Sequence, residues 1–219
     1  MIVASVFVDA FRFIPPNIAL LLEKSWQTAE LAFTALAIAL VLALPLGLWL
    51  GHRHRGLGFT LGTSTVGRAL PVIVVIAFLI AFLGVGFWSI TVALVVIGIP
   101  PILTNAYLGV DGVDRDVVEA ARGMGLTERQ ILTGVELPLG LPLILAGIRL
   151  AAVFVIATAT IAGIAGYSGG LGDIFVRQVK YGLAGTLAAA MFVSALALLT
   201  SAALALVQRA AYRRMAPRA

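Results

Sequence analysis

The sequence predicts an all-α integral membrane protein with a five-helix core, and three observations carry the prediction. Hydrophobic residues make up 61% of the 219 and charged residues only 11%, with a mean hydropathy of +1.09, whereas water-soluble chains run nearer half apolar and a quarter charged. The apolar residues gather into separate runs of about 20, the length that crosses a bilayer core as a helix. Polar residues fall in the short connections, which leaves no room for an appended globular domain of ordinary size. The nine prolines and 23 glycines do not oppose this reading, because neighbouring membrane helices re-satisfy the backbone groups they free. With no cysteine, disulfides, Cys-based zinc sites and thiol nucleophiles are all excluded.

Residues 1–27 read as an N-terminal interfacial segment. Its opening stretch to Ile14 is apolar but carries Asp9 and Arg12, and Pro15-Pro16 ends it well short of a bilayer's thickness. It lacks the basic start and small-residue cleavage site of a signal peptide. A transmembrane domain over 28–207 follows, with predicted spans at about 28–50, 69–82, 87–108, 139–164 and 186–207. Gly47 and Gly51 have the spacing that lets helices pack closely. Pro100-Pro101 interrupts the third span, and a glycine-rich loop, "GYSGGLGDIFVRQVKYG", joins the last two. Residues 208–219 form a basic tail.

Charge sets the expected orientation. With five spans, Arg53, Arg55, Arg68, Arg115, Arg122, Arg129, Arg209, Arg213, Arg214 and Arg218 share one side, against Arg12, Lys24, Arg177 and Lys180 on the other. The positive-inside rule then places the N-terminus outside and the C-terminus inside. The net charge of +5 follows from these scattered loop arginines, and nucleic acid is not among the expected partners.

One polar stretch, within 111–138, stands out: "EAARGMGLTERQILTGVELP" at 119–138. Asp114 is placed to cap a helix from Arg115 to about Met124, Gly125 to end it in a left-handed turn, and Thr127 with Gln130 to form a capping box for a second short helix through about Thr133. Pro138 is expected to end the insert. Ala120 and Ala121 would keep one surface small enough for another protein to approach, with Glu119 and Arg122 supplying charge beside it.

The same stretch resembles the signature loop of the membrane-spanning permeases of binding-protein-dependent ATP-binding-cassette importers. It has Glu119-Ala120-Ala121, then Gly125 after three residues, then Val135-Glu136-Leu137-Pro138 after nine, with Val135 in place of the usual isoleucine. The resemblance covers roughly 28–207 and implies a MetI-like transmembrane domain whose coupling helix seats in a separate cytoplasmic ATPase. On that basis Glu119, Ala120, Ala121, Arg122, Gly123, Gly125 and Thr127 are the ATPase-coupling residues. Within the family, "ARGMGLT", "VELPLGLPLILAGIRLA" and "TATIAGIAGYSGGLGD" are similar to the osmoprotectant branch, which imports glycine betaine, choline and carnitine. Methionine-type permeases share the loop and match the fourth span less well.

The resemblance further implies a second permease subunit, identical or paralogous, an extracellular or periplasmic binding protein that holds any aromatic cage, and a bacterial or archaeal inner membrane. ATP and magnesium belong to the partner ATPase, with no cofactor in this chain. The residues agree on the last point, since neither Lys24 nor Lys180 sits in a phosphate-binding loop. His52 and His54, the only histidines, read as part of a membrane-edge patch rather than as metal ligands or catalysts. An ATP-independent channel or secondary carrier is the rival class, but the spans show neither coupling carboxylates nor an internal repeat.

Candidates for a translocation path are Asn105, Tyr107, Thr158, Thr160 and Gly163, although threonines in membrane helices often bond to their own backbone. Arg149 is the basic residue inside a predicted span. An unpaired charge there costs roughly 2.5–3.5 kcal/mol on an insertion scale, so it reads as a structural charge needing a partner such as Glu136.

Overall fold

A computed structural model describes residues 2–69 and 71–215. Arg218 lies outside the described residues, as do the side chains of Arg68, Arg213 and Arg214. Among the described residues the chain is helical without strand: α1 (Ile2–Phe13), a 3-10 turn (Pro15–Asn17), α2 (Ile18–His52), α3 (Leu57–Ala69), α4 (Val72–Leu83) and α5 (Phe87–Asp111) come first. There follow α6 (Arg115–Gly123), α7 (Glu128–Ile131), a π-turn (Leu132–Glu136), α8 (Leu137–Ala159), a 3-10 turn (Thr160–Gly163), α9 (Gly172–Val176) and α10 (Gln178–Met215). Four stretches, Pro15–His52, Phe87–Asp111, Glu128–Gly163 and Gln178–Tyr212, are long and apolar enough to cross a membrane.

The first predicted span starts ten residues earlier than its sequence boundary, so the division at 27/28 falls inside α2. Nothing between Ile18 and Thr28 breaks a helix, and Glu23 and Gln27 bond to each other on its surface at 3.2 Å. The start of the segment expected to be interfacial packs on the bundle. Helix α1 lies against α10, with Ala10 fully buried and Phe13 edge-on to Tyr181 at 6.4 Å.

The second predicted span is a broken one. Its apolar part is α4, whose 12 residues make only ~18 Å of helix against ~30 Å of hydrocarbon. Helix α3, which the sequence hides behind glycines, serine and threonines, precedes it and adds 13 residues of helix. The break is at Pro71, which has no N–H to donate and is extended, with ψ of 123°. Both pieces lean on α5: Thr104 reaches the Thr60 carbonyl at 3.5 Å, and Gly67 abuts Pro100.

Helix α5 is the centre of the bundle, between α2 and α8. The α2–α5 crossing uses the predicted glycine pair: a Cβ on Gly47 would lie 2.8 Å from the Leu103 carbonyl oxygen, and one on Gly51 2.7 Å from that of Tyr107. The α5–α8 crossing is closer, since a Cβ on Gly140 would collide with the Gly109 backbone. Above these contacts lies an apolar core that includes Leu31, Ala35, Ile90, Leu94, Val155 and Ile156. At the end remote from α6, Thr28 of α2 fastens the glycine-rich loop, its hydroxyl accepting from the Leu171 N–H at 2.8 Å while donating to the Lys24 carbonyl. Gln27 accepts from the Gly170 N–H at 2.9 Å.

Candidate coupling site

The polar insert folds as a small unit of its own. Asp114 caps α6 by accepting from the Asp116 N–H at 2.9 Å. Gly125, with φ of +85°, reverses the chain, and two bonds close the turn: Gly125 N–H to the Arg122 carbonyl and Leu126 N–H to the Ala121 carbonyl. This is a left-handed C-cap with its apolar contact, because Leu126 packs on the cluster containing Ala121. The capping box is present as well, with Gln130 accepting from the Thr127 N–H at 2.8 Å and Thr127 accepting from the Gln130 N–H at 3.4 Å.

Two sequence expectations need correction here. Ala121 offers no surface to a partner, because it is buried with Val113, Val118 and Ile131 in the insert's own core. The apolar residues exposed on α6 and its C-cap are instead Val117, Ala120 and Met124, with Met124 74% exposed, set among the exposed charges of Asp116, Glu119 and Arg122. Second, Pro138 does not end the insert. The Leu137 N–H bonds back five residues to the Leu132 carbonyl, and Pro138 then occupies the first turn of α8, where its missing donor costs nothing. Helix α7, the π-turn and α8 are therefore one unbroken helical run.

A polar network ties this unit to the end of α2. His52 Nδ1 meets Glu136 at 2.6 Å and His52 Nε2 meets Glu128 at 3.3 Å. Glu128 also receives Arg122 at 3.0 Å, and His54 pairs with Asp111 at 2.7 Å. Arg122 thus braces α6 against α7 rather than standing free beside the exposed Glu119. His52, His54, Arg122 and Glu128 of this network line a cavity of about 570 Å³ together with Arg53, Arg55 and Arg129. The two histidines, expected as part of a membrane-edge patch, are instead the link between α2 and the insert. The signal that would have found them was Glu136, a carboxylate in an otherwise apolar stretch that had to meet a partner once buried.

Glu136 is 1% exposed, so its partner is expected to matter. Removing one member of a buried pair costs on the order of 3–5 kcal/mol. His52→Ala should lower the melting temperature of the purified permease clearly, while His52→Ala combined with Glu136→Leu should recover much of it. A single variant that melts with the wild type would show the pair to be without structural weight.

The path candidates do not converge. Tyr107 is 2% exposed, packed beneath Gly47 and Gly51 of α2. Thr158 is buried, Thr160 donates to the Ala157 carbonyl at 2.7 Å, and Gly163 is pressed against the backbone of Gly172. Asn105 lines an open space. It bonds to the Pro101 carbonyl at 2.8 Å and shares a cavity of about 600 Å³ with Arg149, Ser201 and Gln208 between α5, α8 and α10. Arg149 is exposed toward this cavity and has no carboxylate partner among the described residues. The expected pairing with Glu136 fails because Glu136 is turned to His52.

The fold aligns with the inward-facing MetNI methionine ABC transporter at a TM-score of 0.75 and 23% identity, covering 90% of this chain and 98% of that one. It also aligns with an amino acid ABC transporter at 0.69 and 19%, covering 93% and 97%. The model of the family described as "Binding-protein-dependent transport system inner membrane component" matches residues 43–219, and the chain belongs to that family. It is 35% identical over 199 residues to the choline transport system permease protein OpuBB of Bacillus subtilis, covering 90% of this chain and 91% of that one. It is 36% identical over 160 residues to the carnitine transport permease protein OpuCB of Listeria monocytogenes, covering 73% of each. The chain is thus a multi-pass transport permease, and the family places its function in transport rather than catalysis.

Proposed function

We propose that this permease imports quaternary-amine osmoprotectants such as glycine betaine, choline and carnitine, driven by a separate ATPase that grips α6. The observation that carries the coupling reading is the exposed side of α6 and its C-cap: Val117, Ala120 and Met124 form a small apolar surface edged by Glu119 and Arg122, on a helix capped by Asp114, tied to α7 by Arg122 and joined through α7 to α8. A rigid knob of this sort passes a push from a cytoplasmic partner into a spanning helix. The substrate reading is supported by the relatives named for choline and carnitine. A second permease copy or paralogue and an external binding protein complete the assembly, with the α6 end facing the cytoplasm and α9 outside.

Uptake of labelled glycine betaine, choline, carnitine and methionine by cells lacking this gene and then complemented with it tests the substrate. Complementation is expected to restore the quaternary amines; restoration of methionine alone would overturn the substrate assignment. Because the chain has no cysteine, single cysteines can report orientation without background. An impermeant maleimide added to intact spheroplasts should label Ser168→Cys and spare Met124→Cys, and the reverse pattern would invert the proposed topology.

A further inference from the structure

At the end remote from α6, a third cavity of about 630 Å³ opens between the first turns of α2, the glycine-rich loop and the start of α10. Three of its charges are committed to one another: Asp173 takes Lys24 at 3.1 Å and Arg177 at 2.7 Å. Two are not. Among the described residues, Glu30 and Lys180 line the cavity without any ion-pair partner. Each stands beside a tyrosine. Lys180 Nζ lies 4.9 Å from the centre of the Tyr181 ring. Burial first, and then the charge of Glu30, raise the Tyr167 hydroxyl above its ordinary pKa, which places the carboxylate within electrostatic reach of that phenol. The Tyr167 ring is seated on Gly169, where a Cβ would lie 2.6 Å from three of its atoms. Only glycine leaves the ring in that position.

We propose that this cavity is an entry site for a zwitterion carrying a quaternary ammonium and a carboxylate. The ammonium sits against the Tyr167 ring and the Glu30 carboxylate, and the substrate's carboxylate sits against Lys180. A quaternary ammonium has no N–H to donate, so its recognition rests on an aromatic face and an opposed charge, which this corner supplies. A carboxylate at the far end of the same small molecule needs a fixed cation, and Lys180 is the cation lining the cavity that has no carboxylate beside it among the described residues, whereas Lys24 and Arg177 share the one charge of Asp173. The site lies where a solute released by an external binding protein would first meet the permease, so the inference rests on the proposed substrate class.

The test uses the intact complex of permease and ATPase in nanodiscs, without binding protein, and saturation-transfer NMR on the methyl protons of glycine betaine and of choline. Both ligands are expected to receive saturation from the wild type. Glu30→Gln and Tyr167→Leu should each weaken both ligands about two- to fivefold, while Tyr167→Phe, which keeps the ring, should bind as the wild type does. Lys180→Ala should weaken glycine betaine and strengthen choline, which has no carboxylate to lose and one less like charge to face. Absence of methyl saturation in a wild-type complex that still imports glycine betaine from its binding protein would overturn the site and leave the functional reading intact. Unchanged saturation in the variants, with only the demand for binding protein raised, would reassign these residues to docking. A complex that imports methionine and no quaternary amine would remove the functional reading and this site with it.

Discussion

Gly125→Pro is expected to abolish transport while leaving the permease inserted in the membrane. The residue sits at φ of +85°, proline is fixed near −65°, and the substitution also deletes the N–H that closes the turn on Arg122. Holding the native path would cost on the order of 3 kcal/mol, so α6 must swing away from the position set by Leu126 and the core of the insert. In liposomes, ATP hydrolysis by the complex should then no longer respond to substrate-loaded binding protein. Glu119→Lys on the same helix, which reverses an exposed charge without touching the turn, should give a partial version of that defect. Ordinary uptake by both variants would refute the assignment of α6 as the coupling element.

Gly140→Leu is expected to be the most damaging single change to the bundle. Its added carbon would occupy the space of the Gly109 backbone, so α5 and α8 could no longer cross at their present distance. Overpacking of a tight core typically costs 1–3 kcal/mol, and here the opposing atoms are main chain and cannot change rotamer. The purified protein should elute as aggregate or melt well below the wild type. Gly134→Ala, where an added Cβ has nothing within 4 Å, is the matched control. A Gly140→Leu protein that matches this control in elution and melting would mean that the α5–α8 contact is looser than the structure shows.

These two positions also show where sequence was informative and where it was not. The helix, turn and capping box of the insert were legible because each depends on a local rule: Asp114 as a cap, Gly125 in a left-handed turn, and Thr127 and Gln130 three apart. The long helices were legible from hydropathy, although α2 began ten residues early because a helix does not stop where its hydropathy falls. What stayed hidden depends on partners distant in sequence. His52 and Glu136 are 84 residues apart, so neither predicts the other. Ala121 looked equivalent to Ala120 in the motif, and only the packing of Val113 and Ile131 separates an inward alanine from an outward one. Helix α3 was missed for a third reason: its glycines, serine and threonines lower hydropathy without preventing a helix that rests on α5. The path candidates share polarity or small size, and neither property distinguishes a hydroxyl turned to its own backbone, as in Thr160, from one facing a route.

The break at Pro71 has a consequence for how the protein is made. A ribosome-bound chain emerging into the translocon presents α3, then α4, before α5 exists, and neither piece is long and apolar enough to remain in lipid by itself. Only three residues, Gly84 to Gly86, separate α4 from α5, so the pair enters as a hairpin whose second arm has the length to span and a partner for the exposed backbone of the first. Membrane integration of residues 57–111 is therefore a cooperative event that waits for α5, and a chain truncated before Phe87 and released from the ribosome should leave α3 and α4 accessible to protease.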